Sequence, residues 1–224
     1  MSEFVHLQVK SHYSLRSGLP TPKDIVDAAH KKGLKAVAMT DKNSFFGIIK
    51  FYNYAISKGV KPICGVDFDI ESNLKGLTKG LLLAKNKKGL EKLFSLSTKS
   101  YLQANKGIKI NENEILALRD DIIFILPSDN FSVYKSTDIQ EEKDVIATID
   151  ALKNTFSSNL YLGVTNYSDD AYDENSSNLI KFCSEKNIHA VALNDVHFIK
   201  QSDYLNHQAK VAINTGTLLR SERE

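Results

Sequence analysis

Two short apolar runs in this chain end on carboxylates. Val37, Ala38 and Met39 lead through Thr40 into Asp41, and Ala190, Val191, Ala192 and Leu193 lead through Asn194 into Asp195, with His197 two places on. Each run is apolar on both faces, the pattern of a buried parallel strand. Parallel strands in a barrel mount metal ligands and catalytic groups at their carboxyl ends. Comparable positions after other strands hold Gln8, Lys10 and His12, then Lys42 beside Asp41, then Asp67. Carboxylates and imidazoles converging on one mouth are the material of a two- or three-metal phosphoesterase.

The elements that must position these groups alternate regularly. Strands are expected over 5–9, 35–39, 60–70, 80–84, 121–126, 160–164 and 188–193. Helices are expected over 22–32, 43–58, 89–102, 112–118, 141–156, 173–186 and 202–213. Thr21 reads as a helix N-cap, with Pro22 at the first helical position and Asp24 in the first turn. Ile25, Val26, Ala29 and His30 form one face of that helix, which Gly33 ends. Asn43 or Ser44 opens the second helix, with Phe45, Ile48, Ile49, Tyr52 and Ile56 inward. Strand–helix alternation with short loops predicts parallel strands and right-handed crossovers. No GxGxxG or GxxxxGK[ST] follows any strand, so dinucleotide and P-loop sites find no support. The chain reads as one domain over 1–224, with 130–140 its loosest connection. The stretch 218–224 offers no closing strand, as in a piece cut from a longer protein.

Composition narrows the class. Of 224 residues, 42% are hydrophobic, enough for a sizeable core, and the net charge of +2 is too small to identify a nucleic-acid binder by itself. That charge is unevenly spread. Residues 79–109 hold eight lysines against the single acid Glu91, and 112–150 hold ten acids against three bases. The two runs read either as solvated helix faces of opposite sign or as a basic patch facing nucleic acid or an acidic partner. Cys64 and Cys183 are far apart without CxxC spacing, which suits a reducing compartment and two core thiols. No apolar run approaches ~18 residues, so no membrane partner is expected and a cytoplasmic protein is.

Phe4-Val5-His6-Leu7 with Tyr13-Ser14 and Gly18-Leu19 resembles the first motif of the polymerase and histidinol phosphatase (PHP) domain. Ala38-Met39-Thr40-Asp41, the stretches 47–52 and 59–65, and Asn194-Asp195-Val196-His197-Phe198 resemble its later motifs. Their order and spacing are similar to the PHP domain at the amino terminus of bacterial DNA polymerase III alpha subunits. The resemblance implies an α/β fold, a distorted (β/α)7 barrel of the PHP type that is TIM-barrel-like. It also implies a parent chain several times longer, a DNA-directed DNA polymerase (nucleotidyltransferase) using Mg²⁺.

Carried over residue by residue, the family's metal ligands mostly fail. A His-x-His pair is replaced by Gln8 and Lys10, and the His of an Asp-His pair by Lys42. A middle His would fall near Lys106, and a Cys ligand near Pro127 and Ser128. Asp41, Asp67, Asp195 and His197 survive. A protonated lysine cannot ligate, and it brings the charge that the metal would have brought. The seven residues Gln8, Lys10, Asp41, Lys42, Asp67, Asp195 and His197 are therefore expected to form a vestigial cluster at one mouth. No metal is expected there, with Asp41, Asp195 and His197 the residual candidates for one. At an effective dielectric of ~20, two like charges ~4 Å apart cost about 4 kcal/mol, a repulsion that Lys10 and Lys42 would relieve. The other histidines have blander readings. His6 points away from the ligand row, His12 sits at the cleft or on the surface, and His30, His189 and His207 serve packing or surface.

The resemblance implies a structural and docking platform without catalytic residues of its own. Its expected partners are the remainder of the polymerase chain in cis and a separate proofreading exonuclease subunit, with DNA met mainly through the parent chain. A residual metal-dependent phosphoesterase or 3′–5′ exonuclease, or a DNA-binding module using the lysines of 79–109, stands as the alternative.

Overall fold

The computed structural model describes residues 4–104, 107–128, 139–165 and 170–218. The expected loose connection at 130–140 lies mostly outside them, as does Lys106. The elements run β1 (Gln8–Val9), α1 (Pro22–Lys31), β2 (Ala36–Met39), α2 (Ile48–Ser57), β3 (Lys61–Glu71), β4 (Lys79–Ala84), α3 (Lys87–Leu102) and β5 (Ile110–Asn111). They continue α4 (Glu112–Leu116), β6 (Ile122–Pro127), α5 (Ile139–Phe156), β7 (Leu160–Val164), α6 (Asp170–Lys186), β8 (His189–Ala192), β9 (Asp195–Val196) and α7 (Tyr204–Thr215). They form two compact units, one of residues 1–64 with 195–224 and one of residues 65–194.

In the first unit β1 pairs in parallel with β9, Gln8 opposite Asp195 and Val9 opposite Val196. β2 pairs in parallel with the start of β3, Ala36 opposite Lys61 through Met39 opposite Cys64. The expected first strand over 5–9 contracts to two residues. Around it the chain is still held, since His6 O accepts from Ala38 N and Val9 O from Thr40 N. β9 was not anticipated. Asp195 lies on a strand of its own, rather than trailing the strand before it.

Thr21 caps α1 as expected. Its hydroxyl accepts from Asp24 N while Asp24 accepts from Thr21 N, a capping box with Pro22 at the first turn. Pro22, Ile25, Val26 and Ala29 are buried, whereas His30 is exposed. α2 departs further from expectation. Asn43 takes φ +52, a left-handed conformation unsuited to an N-cap, and the helix starts only at Ile48. Ile48, Phe51 and Ala55 form its buried face, leaving Ile49, Tyr52 and Ile56 exposed. Both arcs of this helix are apolar, so periodicity cannot choose between them. Ser202 does not cap α7 but lies inside a 3-10 turn, Gln201–Asp203, that precedes it.

The second unit holds a sheet in the order β3-β4-β6-β7-β8, with β5 on β3. β6, β7 and β8 are parallel. β4 is antiparallel to both β3 and β6, against the expectation of parallel strands throughout. Only residues 72–78 join β3 to β4, too few for the dozen or more that a parallel crossover needs. Leu81, Leu82, Phe124, Leu160 and Leu162 are fully buried in this sheet's core. Gly80 is there because a Cβ would sit 2.2 Å from the Phe124 ring.

Candidate functional site

The first unit gathers six of the seven expected residues on neighbouring segments. Gln8 (β1), Lys10 (just after it) and Asp41 (just after β2) are buried, Lys42 is half-buried, and Asp195 and His197 follow on β9 and after it. Asp67 belongs to the second unit, where it lies on β3 opposite Leu81 and is buried.

Lys10 is only 2% exposed. Its backbone N donates to Val196 O at 2.8 Å, fixing the segment against β9. Its ammonium donates to Thr40 O at 3.1 Å and stands 3.7 Å from Asp195 Oδ1. The other Asp195 oxygen is 3.2 Å from His197 Nε2. Lys10 and His197 thus meet the two oxygens of one carboxylate, that of Asp195.

Asp41 is held differently. Oδ1 accepts from Ser11 N and from Ser14 Oγ, and Oδ2 accepts from Ser11 Oγ, all at 2.6 Å. Ser14 Oγ in turn accepts from Lys42 N at 3.0 Å. Short bonds to an ionised acceptor are the strong class of hydrogen bond. They pin the loop after β1 to the end of β2, and the tightness shows at Gly18, where a Cβ would lie 2.0 Å from Ser11 O.

α7 adds two residues. His207 Nδ1 lies 3.0 Å from Ser17 O and its ring stacks on His197 with centroids 5.0 Å apart. Lys210 donates to Gly18 O; burial lowers its pKa, opposed by the charge of Asp41. Sequence reasoning took His207 for a packing or surface residue, quoted Tyr13-Ser14 only as part of a motif, and gave Ser11 and Lys210 no role. Ser11 and Ser14 meet Asp41 across about 30 residues, so local spacing did not mark them either. Nothing local marked Lys210, which meets the loop from 192 residues away in sequence.

Among the described residues no three His, Cys, Asp or Glu side chains group in a way that could hold a metal ion. Both Asp41 oxygens accept hydrogen bonds, and the Lys10 ammonium donates to Thr40 O. Pro127 and Ser128, near which the resemblance would put a Cys ligand, supply no thiolate. Cys64 and Cys183 are buried, and burial pushes both thiols up to about 11, away from nucleophilic use.

The opposed charge runs meet each other inside the second unit. Lys92 and Lys88 reach Asp121 Oδ2 at 2.6 and 3.6 Å, Lys99 pairs with Glu114, and Lys85 donates to Asn159 Oδ1 at 2.9 Å. The Lys92 hydrogen bond, with help from Asn86 and the charge of Lys88, holds the Asp121 carboxyl below its ordinary range. Lys88, Lys92 and Lys99 of that run thus meet carboxylates within the same unit.

Comparison with known proteins follows the same lines. The PHP domain family matches residues 6–166. The DNA polymerase III alpha subunit of Buchnera aphidicola subsp. Schizaphis graminum is 31% identical over 232 residues, covering 100% of this chain and 20% of its own length. That of Pseudomonas aeruginosa is 30% identical, covering 98% of this chain and 19% of its own length. The chain thus spans about a fifth of the curated relatives it matches. Among solved structures, a proposed metal-dependent phosphoesterase from Bifidobacterium adolescentis superposes with a TM-score of 0.61 at 12% identity, over 90% of each chain. At that identity the likeness speaks for fold alone, and it supports the PHP-type α/β class. With the family pattern matched from His6 to residue 166, well over half of the chain, and the fold shared, the chain belongs to the PHP domain family.

Proposed function

We propose that this chain is a PHP domain, 1–224, of a replicative DNA polymerase III alpha subunit, and that its metal site is degenerate. In this reading it catalyses nothing itself. It serves as a structural and docking platform for the rest of the polymerase chain and for a separate proofreading exonuclease subunit, while the parent chain extends DNA with Mg²⁺. One observation carries the reading: the buried Lys10 ammonium, set between Thr40 O and Asp195, takes the place of a ligand and of a cation together. A buried ammonium is costly unless paired, so its retention beside two carboxylate-bearing strand ends supports a site rebuilt around a fixed charge.

The test has two arms. Protein purified without chelator is analysed for bound metal and assayed for nuclease and phosphoesterase activity with Mn²⁺ and Zn²⁺; the expected result is neither stoichiometric metal nor turnover. One zinc or manganese per chain with turnover lost in Asp195→Asn would establish the residual phosphoesterase instead. Calorimetric titration with the cognate exonuclease subunit at two salt concentrations tests docking, and no heat at either would leave only a scaffolding role in cis.

A further inference from the structure

Helix α2 is apolar on both sides, and the first unit covers only one of them. Ile48, Phe51 and Ala55 are buried against the unit. On the outer side Ile49 is 59% exposed, Tyr52 45% and Ile56 56%, and Phe46, just ahead of the helix, is 63% exposed. Spacings of three and four residues put Ile49, Tyr52 and Ile56 on one arc. α1, of the same length, shows an ordinary outer face in this unit: it exposes Lys23, Asp24, His30 and Lys31. A helix that is apolar all round is one that is buried all round. The ten residues of α2 are too few to span a bilayer, which takes about 20.

The outer arc carries no charge of its own, and the sequence holds no acid between Asp41 and Asp67. The two lysines of this stretch that border the arc are turned to partners inside the unit, Lys50 to the Tyr13 hydroxyl at 3.0 Å and Lys58 to Asp27 at 4.0 Å. What the arc presents is aliphatic and aromatic surface, with the Tyr52 phenol and the exposed Asn53 amide among it. Such a surface calls for an apolar face in return, not for phosphates or carboxylates. Its size narrows the occupant further. At about 100 Å² of exposed surface each, the four side chains offer roughly 400 Å², and a matching face set on them would bury roughly 800 Å² in all. Stable complexes between separate chains bury about 1,200–2,000 Å². Interfaces between domains of one chain bury about 600–1,500 Å², and the tether holds the effective concentration near the mM range. The polymerase III alpha subunits matched above supply such a tether, since the matched part is only 20% and 19% of their length.

We infer that the outer arc of α2 seats an apolar face of the same, longer polymerase chain, folded onto Ile49, Tyr52 and Ile56 in cis. The inference rests on the reading of this chain as part of a polymerase III alpha subunit, and it gives the cis contact of that reading a surface. It assigns that surface neither to the separate exonuclease subunit nor to a second copy of the chain, because a patch of this area is too small to hold an untethered partner by itself.

The experiment is hydroxyl-radical footprinting of the full-length gene product, read residue by residue by mass spectrometry. Each rate is divided by that of the same residue in the urea-unfolded chain. Phe46, Ile49, Tyr52 and Ile56 are expected to lose reactivity to the level of the buried Phe51, in the absence of any other subunit and independently of protein concentration. In the full-length Ile49→Asp/Ile56→Asp variant, Phe46 and Tyr52 should regain reactivity while Phe51 stays protected, which also verifies that the unit keeps its fold. Phe46, Tyr52 and Ile56 as reactive in the full-length chain as their half-exposure predicts would overturn the inference. Protection that arises only on adding the exonuclease subunit, or only as concentration rises, would overturn it in favour of that subunit or of a second copy. Intact mass separates the two kinds of failure. A gene product of 224 residues removes the polymerase reading and the cover with it, whereas a full-length product with a reactive arc removes the cover alone.

Discussion

The two units bury different kinds of residue. Among the described residues the first unit buries Gln8, Lys10, Ser11, Ser14, Thr40, Asp41, Asn43 and Ser44, nearly all at the ends of β1 and β2. The larger second unit buries five polar residues, Asp67, Ser97, Ser100, Asp121 and Thr148, scattered over several elements. The buried positions of β4, β6 and β7 are all apolar or glycine, while the edge strand β8 is largely exposed. The difference teaches where specificity is held. The second unit can be repacked by any apolar set of the right volume, whereas the first depends on particular donors meeting particular acceptors.

Four substitutions or treatments would break or sharpen that contrast, the largest first. Phe124→Ala, in the second unit, removes a ring with no exposure that packs on Phe156 at 5.1 Å, and should cost about 3–5 kcal/mol by urea denaturation. Asp41→Ala, in the first, strips three short hydrogen bonds and strands the buried Ser11 amide. About 2–4 kcal/mol is expected, with Asp41→Asn losing less because its oxygen still accepts. Metal-free protein that tolerates Asp41→Ala without loss would mean the serine bonds contribute nothing. Lys10→Met leaves Asp195 without its buried cation and should cost about 1–3 kcal/mol, a loss that shrinks in the Lys10→Met/Asp195→Asn double variant.

The smallest effect is one of pH. The Thr21 hydroxyl bond chiefly holds the Asp24 carboxyl below its ordinary range; burial opposes it, and the Thr21 amide and nearby cations add to it. The folded chain therefore binds this proton less readily than the unfolded one. Its contribution is complete above the unfolded carboxyl pKa and fades as pH falls through the folded value. Thr21→Val should remove about 1 kcal/mol at neutral pH and flatten that acid limb. Thermal melts between pH 2 and 6 measure both.

Much of this was legible in the sequence. The Thr21-Pro22-Asp24 start of α1 needs only neighbours in the chain, and so could be read from them. The apolar runs into Asp41 and Asp195 were read for the same reason. What escaped reading depends on partners far along the chain. The direction of β4, the inward arc of α2, the existence of β9 and the role of Lys210 are each decided by a surface that local spacing does not encode. Asn43 is an intermediate case. Asparagine favours both N-caps and left-handed turns, and Asn43 takes the second.

The pairing of β1 with β9 has a consequence for how the protein is made. Gln8 leaves the ribosome 187 residues before its partner Asp195. At about 5–20 residues per second, that leaves a gap of roughly 10–40 s. The Asp41 bonds to Ser11 and Ser14 span only about 30 residues and can close early in that interval. They would hold the first loop in place on the nascent chain while one side of β1 still waits for its neighbour. Synonymous or translational changes that slow elongation before residue 195 lengthen that wait, and are expected to expose β1 to chaperones for longer without altering a single contact in the finished molecule.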